Sequence, residues 1–266
     1  MFRKLLIVSV LILTACATSP TGRKQFVVMP ESQMTVMGVQ SFTQMQQDTP
    51  VVTDAAVNNY VRCVGNAIIR LPEVQRYSSD WEIVVFEDSA VNAFALPGGK
   101  IGVYRGLLGV AETPDQLAAV MGHEVGHVLA RHGNERVSQQ FAVGETMTLL
   151  EGWMASKNVA NRNSAMALLG LGTQVGILLP FSRVQESEAD EIGQSLMAQA
   201  GFDPRASVTL WQNMGKDGGK QPPAFLSTHP SHDSRIEDLR AGMGQPLKLY
   251  EQARATGRTP NCVAVK

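Results

Sequence analysis

Cysteine is scarce in this chain of 266 residues: there are three. That is too few for a disulfide-rich scaffold or for a metal site built from cysteine quartets. A basic excess is also missing, since 23 Lys and Arg face 24 Asp and Glu, so nucleic acid is not expected as a partner. No apolar run reaches the roughly 20 residues that a membrane-spanning helix needs. Residues 165–179 (AMALLGLGTQVGILL) come nearest, but three glycines and a Thr-Gln pair interrupt them, and a buried or partly covered helix is expected there. Charged residues make up 18% and hydrophobic ones 44%. Such a composition suits a folded domain with a sizeable core and is too apolar for a disordered chain.

What is present begins at the N-terminus. MFRKLLIVSVLILTAC sets Arg3 and Lys4 ahead of a short apolar run, the layout of a secretory signal. Its end, Leu13-Thr14-Ala15-Cys16, resembles the bacterial lipobox, in which cleavage precedes a cysteine that is then acylated. Residues 1–15 are therefore read as a signal peptide and Cys16 as the lipidation site. Residues 16–30, with ATSPTGRKQ, are expected to be a tether, and residues 31–266 a single domain held to the membrane by the lipid. Ala17 in place of Asp resembles lipoproteins sorted to the outer membrane, so the expected location is its periplasmic face. Loss of residues 1–15 would leave 21 basic residues against 24 acidic ones. Cys63 and Cys262 would then meet an oxidising compartment, where a disulfide between them is expected. Closing so long a loop stabilises by up to about 5 kcal/mol in the chain-entropy account.

Hydrophobic periodicity predicts helices over 32–48 and 54–70, the second capped by Thr53 and burying Val57, Tyr60, Val61, Val64 and Ile68 on one face. Residues 81–86 (WEIVVF), 93–96 and 100–104 read as strands, the last two joined by the turn Pro97-Gly98-Gly99. Thr113-Pro114-Asp115-Gln116 is a strong helix start, and that helix is expected to run to about residue 141. Further helices are expected over 182–200, from Asp203-Pro204 onward, and over 231–243, with a loop at 215–223.

The predicted helix from Thr113 carries HEVGHVLARH at 123–132. Residues four apart share a helix face, so His123 and His127 can direct ring nitrogens at one metal ion. Glu124 lies about 100° further round, beside the metal and placed to take a proton from water. Ala130 and Gly133 stand where a metzincin would have glycine and histidine, which excludes that class. His132, nine residues from His123, falls on the opposite side of a continuous helix and is read as a surface or second-layer residue. A third ligand must come from elsewhere. Glu145 lies at a suitable distance but has Leu149 four residues on, whereas Glu186 is followed at that spacing by Asp190. Glu186 is therefore taken as the ligand, with Asp190 orienting a ligand histidine. Glu188 and Glu191 lie off that face and read as ordinary surface charges.

NAFALPGGKIGVYRGLL, MGHEVGHVLARH, FSRVQESEAD and STHPSHDSRI, in this order, resemble the forty-eighth metallopeptidase family, which includes HtpX-like and CAAX prenyl proteases. The lipobox and the lack of spanning segments resemble its periplasmic BepA and LoiP branch. The resemblance implies an α+β, mainly helical zincin-like (gluzincin) domain whose small sheet lines the active site with an edge strand. It implies one Zn2+ per chain held by His123, His127 and Glu186, with Glu124 as general base and Asp190 behind the ligands. It also implies that Gly99, Lys100, Ile101 and Gly102, at the start of the third strand, pair with an extended substrate, for which a short edge after Gly98-Gly99 is suited.

His229, held extended by Pro230, is expected to face the zinc, either donating to an oxyanion or filling the open metal position as a gate. Arg235 is a second candidate for charge stabilisation. Together these readings describe a zinc metalloendopeptidase of the bacterial envelope acting on unfolded or misfolded proteins, with outer-membrane proteins as the expected substrates. A lipoprotein chaperone with little proteolysis is the rival reading, but it has no need of Glu124. A peptide deformylase would require a metal-bound cysteine, and the cysteines are assigned elsewhere.

Overall fold

The computed structural model describes residues 16–142, 180–216, 224–231 and 234–265. Glu145 and the apolar 145–179 stretch lie outside them. Among the described residues no helix is long and apolar enough to cross a membrane.

The chain opens with an antiparallel hairpin, β1 (Cys16–Thr18) and β2 (Lys24–Phe26), with Cys16 opposite Phe26. A tether is the expectation here. Instead Ser19 and Gln25 are buried: the Ser19 hydroxyl accepts from the Arg23 amide within the hairpin, and Gln25 donates to the Ala130 carbonyl in the body of the protein. Helix α1 (Glu31–Asp48) follows, then α2 (Ala55–Ile69) and the short α3 (Pro72–Tyr77). The cap of α2 is Asp54 rather than Thr53, its carboxylate accepting from the amides of Ala56 and Val57. The face predicted for α2 is the buried one: Val57, Tyr60, Val61, Val64 and Ile68 all join the main core.

Three strands make the central sheet: β3 (Glu82–Phe86), β4 (Ala93–Leu96) and β5 (Lys100–Tyr104). Their order is β3-β5-β4, with β3 parallel and β4 antiparallel to β5. Gly98 and Gly99, at φ 85° and 76°, make the turn that folds β5 back beside β4. The expected substrate edge at Gly99, Lys100, Ile101 and Gly102 is therefore overturned. β5 is the middle strand, with backbone partners on both sides, and the ring of Phe94 covers Gly102. Among the described residues, the edge near the histidines that has no neighbouring strand belongs to β4.

After a 3₁₀ turn (Arg105–Gly109) comes α4 (Pro114–Leu129), capped by Thr113, whose hydroxyl accepts from the amide of Gln116. The long helix expected from there is in fact two. Ala130 closes α4, Arg131 takes φ 54°, and α5 (His132–Ala142) leaves in a new direction. The remaining helices among the described residues are α6 (Arg183–Gln199), α7 (Ala206–Lys216), α8 (Ala224–Thr228), α9 (Arg235–Ala241) and α10 (Gly244–Ala255). A disulfide joins Cys63 on α2 to Cys262 near the C-terminus, 199 positions apart, as expected.

Helices α4 and α6 cross at backbone contact. A Cβ added to Gly193 would lie 2.7 Å from the His123 amide nitrogen, and one added to Gly126 would lie 2.9 Å from the Ala189 carbonyl oxygen. Only glycine permits so close a crossing. It sets His123 and His127 directly against Glu186 and Asp190.

Candidate metal centre

Four donors meet at this crossing. Nε2 of His123 and Nε2 of His127 are 3.0 Å apart, the expected result of i, i+4 spacing on α4. Glu186, in the first turn of α6, brings Oε1 to 3.3 Å from His127 Nε2 and Oε2 to 3.5 Å from His123 Nε2. Nδ1 of His229, just after α8, lies 3.2 Å from His123 Nε2 and 3.0 Å from Glu186 Oε1. All four side chains are buried. A tetrahedral ion with bonds of about 2.0–2.1 Å holds its donors about 3.3–3.4 Å apart. The observed separations fit such an ion, and nitrogen with carboxylate oxygen is a donor set suited to a divalent metal.

Glu124 stands beside this cluster. Its Oε2 accepts the amide hydrogen of Ala95 on β4 at 3.2 Å. Its Oε1 is buried with no hydrogen-bond partner among the described residues, and His229 Nε2 is 3.4 Å away. An unsatisfied buried acceptor on a carboxylate is the feature of a group waiting for a proton donor. Burial pushes the Glu124 carboxyl above its ordinary range, against the opposing pull of positive charge on His229 and His123. Burial would raise Glu186 too, but charge on His229 and His123 outweighs it and holds that carboxyl well below its ordinary range.

Asp190 lies one turn beyond Glu186, with Oδ1 2.9 Å from His123 Nδ1. This contact is the one its spacing suggested. It fixes the His123 ring with Nε2 toward the other donors. Arg235 differs from expectation. Its guanidinium does not face an open site but donates to Glu186 Oε2 and Asp190 Oδ1, each at 2.7 Å, and lies 3.4 Å over the Trp211 ring. It neutralises the two carboxylates that hold the histidines, which is a supporting role.

Two side chains change place relative to the sequence reading. The break at Arg131 turns His132 back toward the site, and its Nδ1 comes 2.8 Å from His127 Nδ1. The second-layer half of that expectation holds, and the surface half does not, since His132 is fully buried. Glu188, expected on the surface, is buried as the partner of His132 and Arg23, while Glu191 is exposed as expected. Aromatic rings that sequence reasoning missed also frame the site. Phe181 lies 4.0 Å from the His127 ring, and Phe225 stacks on His229 at 4.3 Å. Phe225 precedes His229 by one helical turn, a spacing that could have signalled the pair.

Comparison with known proteins agrees with this arrangement. Similar proteins include the mitochondrial metalloendopeptidase OMA1 of Schizosaccharomyces pombe, 43% identical over 60% of this chain and 45% of that protein. OMA1 of Arabidopsis thaliana is 40% identical over 67% of this chain and 35% of its own length. The beta-barrel assembly-enhancing protease of Escherichia coli is 28% identical over 82% of this chain and 45% of that protein. The chain thus spans less than half the length of these relatives. Residues 55–242 match the sequence model of Peptidase family M48, a span that holds all four donors together with Glu124 and Asp190. The chain belongs to peptidase family M48.

Proposed function

We propose that this chain is a zinc-dependent metalloendopeptidase that cuts extended or misfolded proteins. The observation that carries this reading is the convergence of His123, His127 and Glu186 with the free Oε1 of Glu124 beside them. When bound, zinc supplies Lewis acidity that eases deprotonation of water and polarises a carbonyl group. Glu124 Oε1 takes the proton from the attacking water and later delivers it to the leaving amine. Its other oxygen stays on the Ala95 amide, which keeps the carboxylate from turning away. An extended substrate adds along the outer edge of β4, donating to the carbonyl oxygens of Ala93 and Ala95 while their amides stay on Asn92 and Glu124.

His229 occupies the fourth corner of the donor set. A catalytic zinc site keeps that corner open, so this arrangement is a resting state from which His229 withdraws. The bacterial envelope, with Cys16 as lipid anchor, is the location favoured by Leu13-Thr14-Ala15-Cys16. Similarity to beta-barrel assembly-enhancing proteases supports outer-membrane proteins as substrates.

The test is a zinc determination on purified protein together with cleavage of an unfolded casein, with and without chelator. Stoichiometric zinc and chelator-sensitive cleavage are expected. Equal protection of an unfolded protein from aggregation by the wild type and Glu124→Gln, with no cleavage by either, would favour the chaperone reading instead.

A further inference from the structure

Behind His127 runs a buried polar chain that the proposed reaction does not use. His127 Nδ1 is 2.8 Å from His132 Nδ1, and His132 Nε2 is 3.1 Å from Glu188 Oε2. That same oxygen accepts from Arg23 Nε at 2.6 Å, while Glu188 Oε1 accepts from the Thr21 hydroxyl. The two terminal nitrogens of Arg23 donate to the two oxygens of Glu135 at 2.7 Å each. Gln25, from the same hairpin, donates to the Ala130 carbonyl at 2.6 Å, where α4 ends. His132, Glu188 and Glu135 are all buried.

The protons in this chain have one consistent arrangement once His127 uses Nε2 as a metal ligand. Its Nδ1–H then donates to His132 Nδ1, which must carry the lone pair. His132 therefore holds its proton on Nε2 and donates to the Glu188 carboxylate, and Arg23 and Thr21 complete that carboxylate. Every link pairs a donor with an acceptor while both imidazoles stay neutral, as ligation of His127 requires.

We propose that His132 and Glu188, held in place by Arg23 of the N-terminal hairpin, are positioning residues for the ligand His127, so that seating of the hairpin sets the metal affinity of the site. This rests on the metallopeptidase reading above. It gives His127 the kind of support that Asp190 gives His123, but delivers it from β1–β2, the segment that begins at Cys16. Attachment or displacement of that segment is thereby linked to the metal through three side chains. A hydrogen-bonded partner behind a ligand histidine typically changes metal affinity by about 10–100-fold.

The full chain is the test material, and the readouts are Zn2+ affinity by competition with a chromophoric chelator and the visible absorption of the Co2+-loaded protein. Glu188→Gln is expected to bind Zn2+ about 10–100-fold more weakly. Arg23→Gln should shift affinity in the same direction and alter the Co2+ bands, and Arg23→Lys should recover part of both. Glu191→Gln, on the exposed face of the same helix, should match the wild type. If Arg23→Gln fails to fold, Glu188→Gln and Arg23→Lys decide by the same readouts. Unchanged affinity and spectrum in the folded variants overturn the proposal while leaving the metallopeptidase reading intact. Failure of the unmodified chain to bind Zn2+ overturns both.

Discussion

The Glu124 carboxylate on α4 and the Ala95 amide on β4 meet across 3.2 Å, so the proposed general base is fixed to the sheet edge along which substrate is proposed to lie. Strand and base cannot shift independently. A backbone donor at this position orients the carboxylate, and burial raises its pKa, leaving Oε1 to carry the proton.

Replacing Glu124 with Gln should therefore lower cleavage about 10²–10⁴-fold, the usual range for a lost general base, while zinc content stays at the wild-type level. The titration of the carboxyl itself carries a second sign. Because burial raises the Glu124 carboxyl above its ordinary 4.5, infrared titration of the metal-free wild type should show a carboxyl that protonates above 4.5 and is missing from Glu124→Gln. Identical titrations of the two proteins would mean that burial does not govern this carboxylate.

Much of this centre was legible because helical spacing is local. His123, His127, Glu186 and Asp190 follow from i, i+4 geometry, and a single crossing of two helices completes the set. The errors have equally physical causes. A turn such as Pro97-Gly98-Gly99 shows that two strands pair but not which of them acquires a second neighbour, so β5 reads as an edge. Arg131 has no glycine-like signal for its positive φ, so the break that turns His132 inward was invisible. Glu188 reads as a surface charge until Arg23, 165 residues away in sequence, is known to face it.

Gly193→Ala should pry the site apart without touching a donor. The new methyl would lie 2.7 Å from the His123 amide nitrogen, and backbone there can give way only by separating α4 from α6. Overpacking of this kind costs about 1–3 kcal/mol, and Zn2+ affinity should fall with it. Wild-type metal affinity in this variant would mean that the donors do not depend on the close crossing.

Arg235→Met should reduce stability far more without zinc than with it. Arg235 and Glu186 are almost wholly buried, and removing the cation leaves the Glu186 and Asp190 carboxylates without the guanidinium they share. Breaking a buried pair in this way costs about 3–5 kcal/mol. A bound divalent ion compensates part of that charge, so denaturant unfolding should show a smaller difference in the zinc-loaded proteins. Equal losses in both states would place Arg235 outside the electrostatics of the metal.

His229→Ala separates the gate from the oxyanion donor. With His229 at the fourth corner, its removal should weaken Zn2+ binding yet raise the cleavage rate per zinc-loaded molecule, since the open position no longer has to be vacated. A rate that falls at unchanged affinity would assign His229 to the oxyanion instead.

Acid should strip the hairpin contact before the core. Burial would raise Glu188, but hydrogen bonds led by that from His132, with Ser19, Thr21 and Arg23 adding to it, hold it well below the ordinary carboxylate range. Burial likewise opposes, and hydrogen bonds from Arg23 and Gln185 outweigh it, at Glu135, which is also lowered. Both folded-state values lie below the ordinary 4.5, so below that pH the unfolded chain binds more protons than the folded one. The stabilisation is therefore fully present above 4.5 and is lost as pH falls through the depressed folded values. Arg23→Gln removes part of that depression. Denaturant unfolding of the metal-free wild type and Arg23→Gln should show a stability gap at pH 7 that narrows steadily below pH 4.5. A gap that stays constant from pH 7 to pH 3 would mean that Arg23 acts through packing of its stem rather than through the two carboxylates it joins.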